Sequence, residues 1–303
     1  MGRRVWRQGT SDKFAYLVGL TSGSFGKKRL ATISATELQQ HLNALAKKYC
    51  HDTVSGSLVY IKATFRHAFE DEIIKKNPAN RLVLPETKEP NRPFTAIDQV
   101  ARLEGVLRGL DLTILRVFTR CGLRAGEVFG LQVRDLQPDK TLKICRTFSK
   151  GQVGPPKTRT SGKPVAVPES LYEELRGLIE NLKDQSPEAW LFPSRVKRSS
   201  VVMPLRAENW LKRVLKPAAK RLGFKITLHS LRRGWGTEAH NHGQNLKDIQ
   251  GVMRHASMST TADVYVRQVP ESVRRTVETM DELMRQAAEK IAEKWVDPLT
   301  TPL

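Results

Sequence analysis

The stretch Thr227–Tyr265, TLHSLRRGWGTEAHNHGQNLKDIQGVMRHASMSTTADVY, gathers His229, Arg232, His255 and Tyr265 into one short span. His229 and Arg232 are three apart, a spacing that puts both on one face of a helix. The polar cluster Ser259-Thr260-Thr261 before Tyr265 is suited to opening a short helix. The stretch offers cations, proton carriers and a phenol nucleophile, with almost no carboxylate among them. Such a set suits a phosphate diester attacked without a metal.

The rest of the chain frames that reading. A length of 303 residues suits two domains of ordinary size or one large one, and the apolar content allows a true core. The net charge of +20 is far from average and points first to nucleic acid, then to an anionic membrane surface. Cys50, Cys121 and Cys145 are scattered and odd in number, without a C-x-x-C, so neither a zinc site nor a disulfide framework is expected. A cytoplasmic protein fits this usage. No apolar run reaches membrane-spanning length, and the start MGRRVWRQ lacks the apolar core of a secretory signal.

Read upstream, residues 1 to about 30 are weakly patterned, and Gly19, Gly23 and Gly26 are expected to break any long helix. Gly23-Ser-Phe-Gly26-Lys27-Lys28 has the wrong spacing for a phosphate loop and reads as a basic turn. Ser34-x-x-Glu37 is a capping box ahead of Leu38, Leu42 and Leu45 at helical spacing. A second helix carries Leu58, Ile61, Phe65, Ala68 and Phe69 on its core side and ends before Asn77-Pro78. Lys62 and Arg66 on it are either a DNA-facing edge or a solvated one. The stretch LPETKEPNRP, residues 84–93, is a stiff linker. It divides a helical domain at 1–88, whose glycine-broken start is expected to mean either a reduced N-terminus or a truncated chain, from a second domain at 89–303.

The second domain opens on a capping signal, Thr95-x-x-Asp98, before Val100, Leu103 and Leu107. Leu112–Thr119 reads as a buried helix, Gly122 as a turn, and Glu127 lies three residues after Arg124, close enough to orient it. Between 141 and 167 the period becomes two, at Leu142, Ile144, Val165 and Val167, as in a small antiparallel sheet whose connecting loop holds Lys157. Helices follow from Pro168, over about 205–222, and over about 271–295. The expected fold is mainly α with a small antiparallel β-sheet.

Four pieces in order resemble the tyrosine recombinases, the phage integrase family. They are Gly122-Leu-Arg124-Ala-Gly-Glu127 with Leu131 and Asp135; Pro156-Lys157-Thr158; His229-Ser-Leu-Arg232-Arg233; and His255 through Thr260-Thr261 to Tyr265. The resemblance covers about 95–268, and residues 33–85 look like the family's helical core-binding domain. It implies a two-domain DNA clamp with an α+β catalytic part. It implies attack by the Tyr265 phenol on a DNA phosphodiester, leaving a 3′-phosphotyrosine and a free 5′-hydroxyl. On that reading Arg124 and Arg232 clamp the non-bridging oxygens with forked hydrogen bonds. A free tyrosine titrates at about 10, so it needs a proton acceptor, here His229, or a strongly positive site. Lys157 protonates the departing oxygen, His255 steadies the phosphate, and Glu127 supports Arg124. No cofactor and no metal are implied. The partners implied are double-stranded DNA, four protomers on two sites with the 271–295 helix as contact, and accessory DNA-bending or directionality proteins. The cell compartment implied is the nucleoid.

Each piece has a plainer reading. Arg124 alone is a surface or salt-bridge arginine, Lys157 a loop lysine easily confused with Lys150 or Lys163, His229 a helix N-cap, His255 a buried histidine and Tyr265 a core tyrosine. A non-catalytic DNA-binding regulator shares the basic charge and short helices but has no use for Tyr265 together with Lys157. A type IB topoisomerase shares the tyrosine chemistry but acts alone and without site preference.

Overall fold

The computed structural model describes residues 8–87, 93–156, 162–194 and 202–254. The chain divides into two compact units, Met1–Arg92 and Pro93–Leu303, each with its own core. Among the described residues the first unit is all helical, and the second joins helices to two small antiparallel sheets.

The first unit begins with α1, Gln8–Phe25. The expected glycine-broken opening is therefore wrong: the helix runs through Gly9, Gly19 and Gly23. Each glycine costs about 1 kcal/mol in helix propensity, but tertiary packing outweighs that local penalty. Leu17 is buried, and a Cβ on Gly56 would lie only 3.2 Å from its Cδ1. The missing side chain at Gly56 lets the two helices close on Leu17. Phe14 meets Tyr60 edge to face, with ring centroids 6.5 Å apart. Helix α2, Ala35–Lys48, starts at the expected capping box. The Ser34 hydroxyl accepts from the Glu37 N–H at 3.2 Å, and the Glu37 carboxylate accepts from the Ser34 N–H at 2.9 Å. Leu38, Leu42 and Leu45 are buried as their spacing predicts.

Helix α3, His51–Glu70, buries Ile61, Phe65 and Ala68, but Phe69 points outward and is half exposed. Phe69 immediately follows Ala68, which occupies the core-facing position, so the turn carries its ring away from the core. The chain then returns across the unit. Gln39 pins it by accepting from the Val83 N–H at 3.0 Å and donating to the Val83 carbonyl at 3.1 Å, as a strand neighbour would.

The second unit starts with α4, Ile97–Val106, and α5, Gly109–Cys121. The N-cap of α4 is Ala96, not Thr95. The Gln99 side chain accepts from the Ala96 N–H at 3.2 Å, while the Thr95 hydroxyl is buried against that of Ser230 at 2.9 Å. Helix α5 is the centre of the core. Ile114, Leu115, Val117 and Phe118 are fully buried, and Phe118 stacks on Trp210 at 5.7 Å between ring centroids. The indole N–H of Trp210 donates to Asp111 at 3.0 Å, so this large ring is buried without an orphaned donor.

The one-turn helix α6, Ala125–Val128, leads into β1, Leu136–Gln137, and β2, Thr141–Leu142. A hairpin follows, β3 at Thr147–Ser149 and β4 at Gln152–Gly154, and then β5 at Val165–Ala166. The order β1-β2-β5 is antiparallel, with Leu142 opposite Val165. The hairpin is a separate two-stranded sheet that the alternation of 141–167 did not resolve. Its tip is Lys150-Gly151, both at positive φ, as the twist of a two-residue hairpin requires.

Helix α7, Glu169–Glu180, starts after Pro168 as expected and buries Leu171 and Leu175. The helix expected over 205–222 is divided into α8, Ala207–Trp210, a π-helical turn at Leu211–Leu215, and α9, Lys216–Arg221. Pro217 accounts for the division. It has no N–H for the carbonyl of Arg213, and its ring presses on that carbonyl, so the ladder widens ahead of it. The described part closes with α10, Leu228–Asn241, and α11, Leu246–Met253. The helix expected at 271–295 lies outside the described residues.

Candidate active site

Helix α10 sets the site. Its N-cap is Thr227, whose hydroxyl accepts from the Ser230 N–H at 2.9 Å. His229 is therefore not the cap; it sits exposed in the first turn. One turn on, Arg232 is buried. Its Nη1 donates to the carbonyl of Gly122 and its Nη2 to the carbonyl of Met253. One guanidinium thus ties the end of α5 to the end of α11.

Two glycines set how closely these segments approach. Gly122 ends α5 in the left-handed region, φ 56°, with Met253 and Trp235 against the space where a Cβ would stand. Gly234 is where α10 crosses the Thr95 segment. A Cβ there would lie 2.0 Å from the Thr95 carbonyl oxygen, and the Thr95 N–H bonds the Ser230 carbonyl at 3.0 Å.

Two residues after Gly122, Arg124 caps α6. Its backbone N–H donates to Glu127 Oε2 at 2.8 Å, and its Nη1 donates to Glu127 Oε1 at 2.9 Å. The three-residue spacing thus brings the pair together. Glu127 is 1 % exposed, whereas the Arg124 side chain keeps 32 % of its surface open. The sequence reading missed a third arginine. Arg254, at the end of α11, is buried, pairs through Nη2 with Glu127, and accepts from Arg124 Nη2 on its backbone carbonyl at 3.3 Å. Its signal in the sequence was slight: a basic residue at a helix end, next to His255.

The centre therefore joins Arg124 and Arg254 on the Glu127 carboxylate, with Arg232 tied to the Gly122 and Met253 carbonyls next to them in the chain, from segments far apart in sequence. Such a set of donors is chemically suited to an anion, and Arg124 is the most exposed of the three arginines. The neighbouring Cys121 is no candidate nucleophile, because burial pushes its thiol up to about 12. Lys157, His255 and Tyr265 lie outside the described residues, Lys157 directly after Pro156 beyond β4. Among the described residues there is no cluster of His, Cys, Asp and Glu fit to hold a metal, and no helix long and apolar enough to cross a membrane.

Comparison with known proteins gives this geometry a context. Residues 95–271 match the Phage integrase family. The chain is 24% identical over 285 residues to a tyrosine recombinase XerC-like protein of Caldanaerobacter subterraneus, across 84% of this chain and 72% of that one. It is 25% identical over 315 residues to the transposase from transposon Tn916 of Enterococcus faecalis, across 96% and 76%. In fold it is similar to the Tn1549 transposon integrase in complex with a circular intermediate DNA. The TM-score is 0.74 at 20% identity, covering 92% of this chain and 95% of that one. It is also similar to a lambda integrase dimer bound to a COC′ core site, with TM-score 0.68, 16% identity, and coverage of 89% and 92%.

Proposed function

The chain belongs to the phage integrase family, and from that premise we propose how its own residues carry out site-specific breakage and rejoining of DNA. The phenol oxygen of Tyr265 attacks the phosphorus of a scissile phosphodiester. A P–O bond to tyrosine forms, the bond to the 5′-oxygen breaks, and a 3′-phosphotyrosine remains. His229 takes the phenol proton, and Lys157 supplies a proton to the leaving oxygen. Negative charge gathers on the non-bridging oxygens, and Arg124 and Arg232 meet it with forked donors. His255 hydrogen-bonds the same phosphate. A phosphoester is exchanged for a phosphoester, so a free 5′-hydroxyl of a second strand reverses the step without a nucleotide cofactor.

The observation that carries this reading is the arginine centre. Arg232 is held by the carbonyls of Gly122 and Met253, and Arg124 by Glu127, so two guanidiniums are fixed before any ligand arrives. Prepositioned donors need no reorganisation when charge develops, which is the main way a protein lowers such a barrier.

The substrate is double-stranded DNA bearing the ends of a mobile element, as the DNA-bound transposon integrase of similar fold suggests. Four protomers acting on two sites carry out the exchange, aided by accessory bending or directionality proteins, at the nucleoid. Residues 1–88 act as the core-binding domain and 89–303 as the catalytic one. The test is a nicked suicide substrate built from the repeats that flank the chain's own gene. Wild-type protein is expected to form a covalent adduct stable to denaturant, and Tyr265→Phe none. No adduct from the wild type, or one from Tyr265→Phe, overturns the assignment.

A further inference from the structure

Arg254 is an expensive residue where it stands. It ends α11 at φ 50° and ψ 45°, a left-handed position that glycine fills without strain and that an L-residue adopts only against the clash of its Cβ with the backbone. Its side chain is 1 % exposed, so the guanidinium has lost its water. Burial pulls its proton affinity down and the Glu127 carboxylate pulls it back up. Nη2 is satisfied by Glu127, but Nε and Nη1 are buried with no hydrogen-bond partner. A residue needed only to end the helix would be glycine.

The contacts show what the guanidinium does. Glu127 faces Arg124 at 2.9 Å, and left alone the two would form a closed, neutral pair. Arg124 would then offer an arriving phosphate little net charge. Arg254 adds a second cation to the same carboxylate, while its carbonyl holds Arg124 Nη2 at 3.3 Å. Two guanidiniums thus share the one Glu127 carboxylate, and of those two Arg124 is the more exposed, its side chain 32 % open.

Resting on the recombinase reading above, we propose that Arg254 is a positioning residue for strand cleavage: it occupies Glu127 so that Arg124 keeps its charge and its aim for the scissile phosphate. It acts through Glu127 and Arg124 rather than on the DNA. Its removal is thus expected to slow the chemical step and to spare affinity for the duplex, which phosphate contacts elsewhere on a basic chain dominate.

The full-length protein on the nicked suicide substrate provides the test, with single-turnover cleavage rate, duplex affinity and unfolding midpoint measured for each variant. Arg254→Gln is expected to cleave on the order of a hundredfold more slowly, the scale of a misplaced catalytic group, with affinity near that of the wild type. Arg254→Lys keeps the charge and is expected to recover most of the rate. Arg254→Gly removes the backbone strain, so it should fold at least as stably as Arg254→Gln and still cleave slowly. The decisive variant pairs Arg254→Gln with Glu127→Gln. Removing both charges restores the balance that Arg254→Gln alone upsets, so the double variant should cleave faster than the single one. Wild-type rates for Arg254→Gly, or no recovery in the double variant, would reduce Arg254 to a helix end and overturn the proposal. A wild-type protein that forms no adduct overturns the tyrosine reading instead and takes this proposal with it.

Discussion

A Cβ on Gly234 would stand 2.0 Å from the Thr95 carbonyl oxygen, closer than any packing tolerates. Gly234→Ala must therefore push α10 off the Thr95 segment. We expect a loss of about 2–3 kcal/mol, read as a lower urea midpoint at unchanged slope. Because α10 carries Arg232, cleavage should fall with it; an unchanged midpoint would mean the crossing is looser than drawn. Arg232 itself makes a sharper case. Its Nη1 and Nη2 each hold a backbone carbonyl, those of Gly122 and Met253, in the planar fork that only a guanidinium has. An ammonium holding the same two carbonyls has one donor left and cannot fork across two phosphate oxygens. Arg232→Lys should bind DNA nearly as well as the wild type and cleave at least about a hundredfold more slowly; equal cleavage would refute the clamp. The cysteines give a chemical check on the same neighbourhood. Cys50 is exposed and its thiol is lowered by the hydrogen bond with Thr53, whereas Cys121 is buried and raised to about 12. Near neutral pH iodoacetamide should label Cys50 first and leave Cys121 intact until denaturant is added, as mass spectrometry of the peptides would report. Early labelling of Cys121 would contradict the packing around Gly122.

At the scale of elements, the readable and unreadable helices differ in where their information lies. Helix α2 was legible because Ser34, Glu37 and three leucines at helical spacing state it within a few residues. Helix α1 was not, because its glycines lower its propensity and its support comes from Gly56 on another helix. Leu17→Ala is accordingly expected to destabilise the first unit by about 2–4 kcal/mol, as for a well-packed core leucine. Ser34→Ala, which removes only a cap, should cost about 1 kcal/mol. Differential scanning calorimetry of the full chain would rank the two, and a smaller effect for Leu17→Ala would deny α1 its packing role. The candidate site follows the same division. Arg124 and Glu127 are three residues apart, and that contact was readable. Thr95 looked like a cap because its true partner, Ser230, is 135 residues away. Arg254 was silent because its partner, Glu127, is 127 residues away. The split of the 205–222 helix hinges on one proline whose effect on the ladder depends on how the preceding turn packs. Local chemistry is written in adjacent letters; long-range pairing is decided only when the core closes.

For the whole molecule the dominant quantity is charge. Residues 1–92 carry 16 Lys and Arg against 8 Asp and Glu, and residues 93–303 carry 35 against 23, so both units are basic and neither compensates the other. Without a polyanion this surface repels itself, and on duplex DNA it displaces condensed counterions. The released ions make affinity fall linearly in the logarithm of salt concentration, with a slope of about −0.9 for each phosphate neutralised. Contact from both units should neutralise more than about six phosphates, which corresponds to a slope steeper than about −5. Titrating fluorescent duplexes with and without the recombination site, between low and physiological salt, would measure it. The slope should be similar for both duplexes, because phosphate contacts carry no sequence information, while the site-bearing duplex binds more tightly throughout. Cleavage by the bound complex should change much less with salt than affinity does, since Arg124, Arg232 and Arg254 are fixed by protein contacts rather than by the ion atmosphere. A shallow slope on both duplexes would deny that the positive surface faces DNA. A cleavage rate that collapsed in parallel with affinity, at saturating protein, would mean that the arginine centre is assembled by the DNA instead of before it.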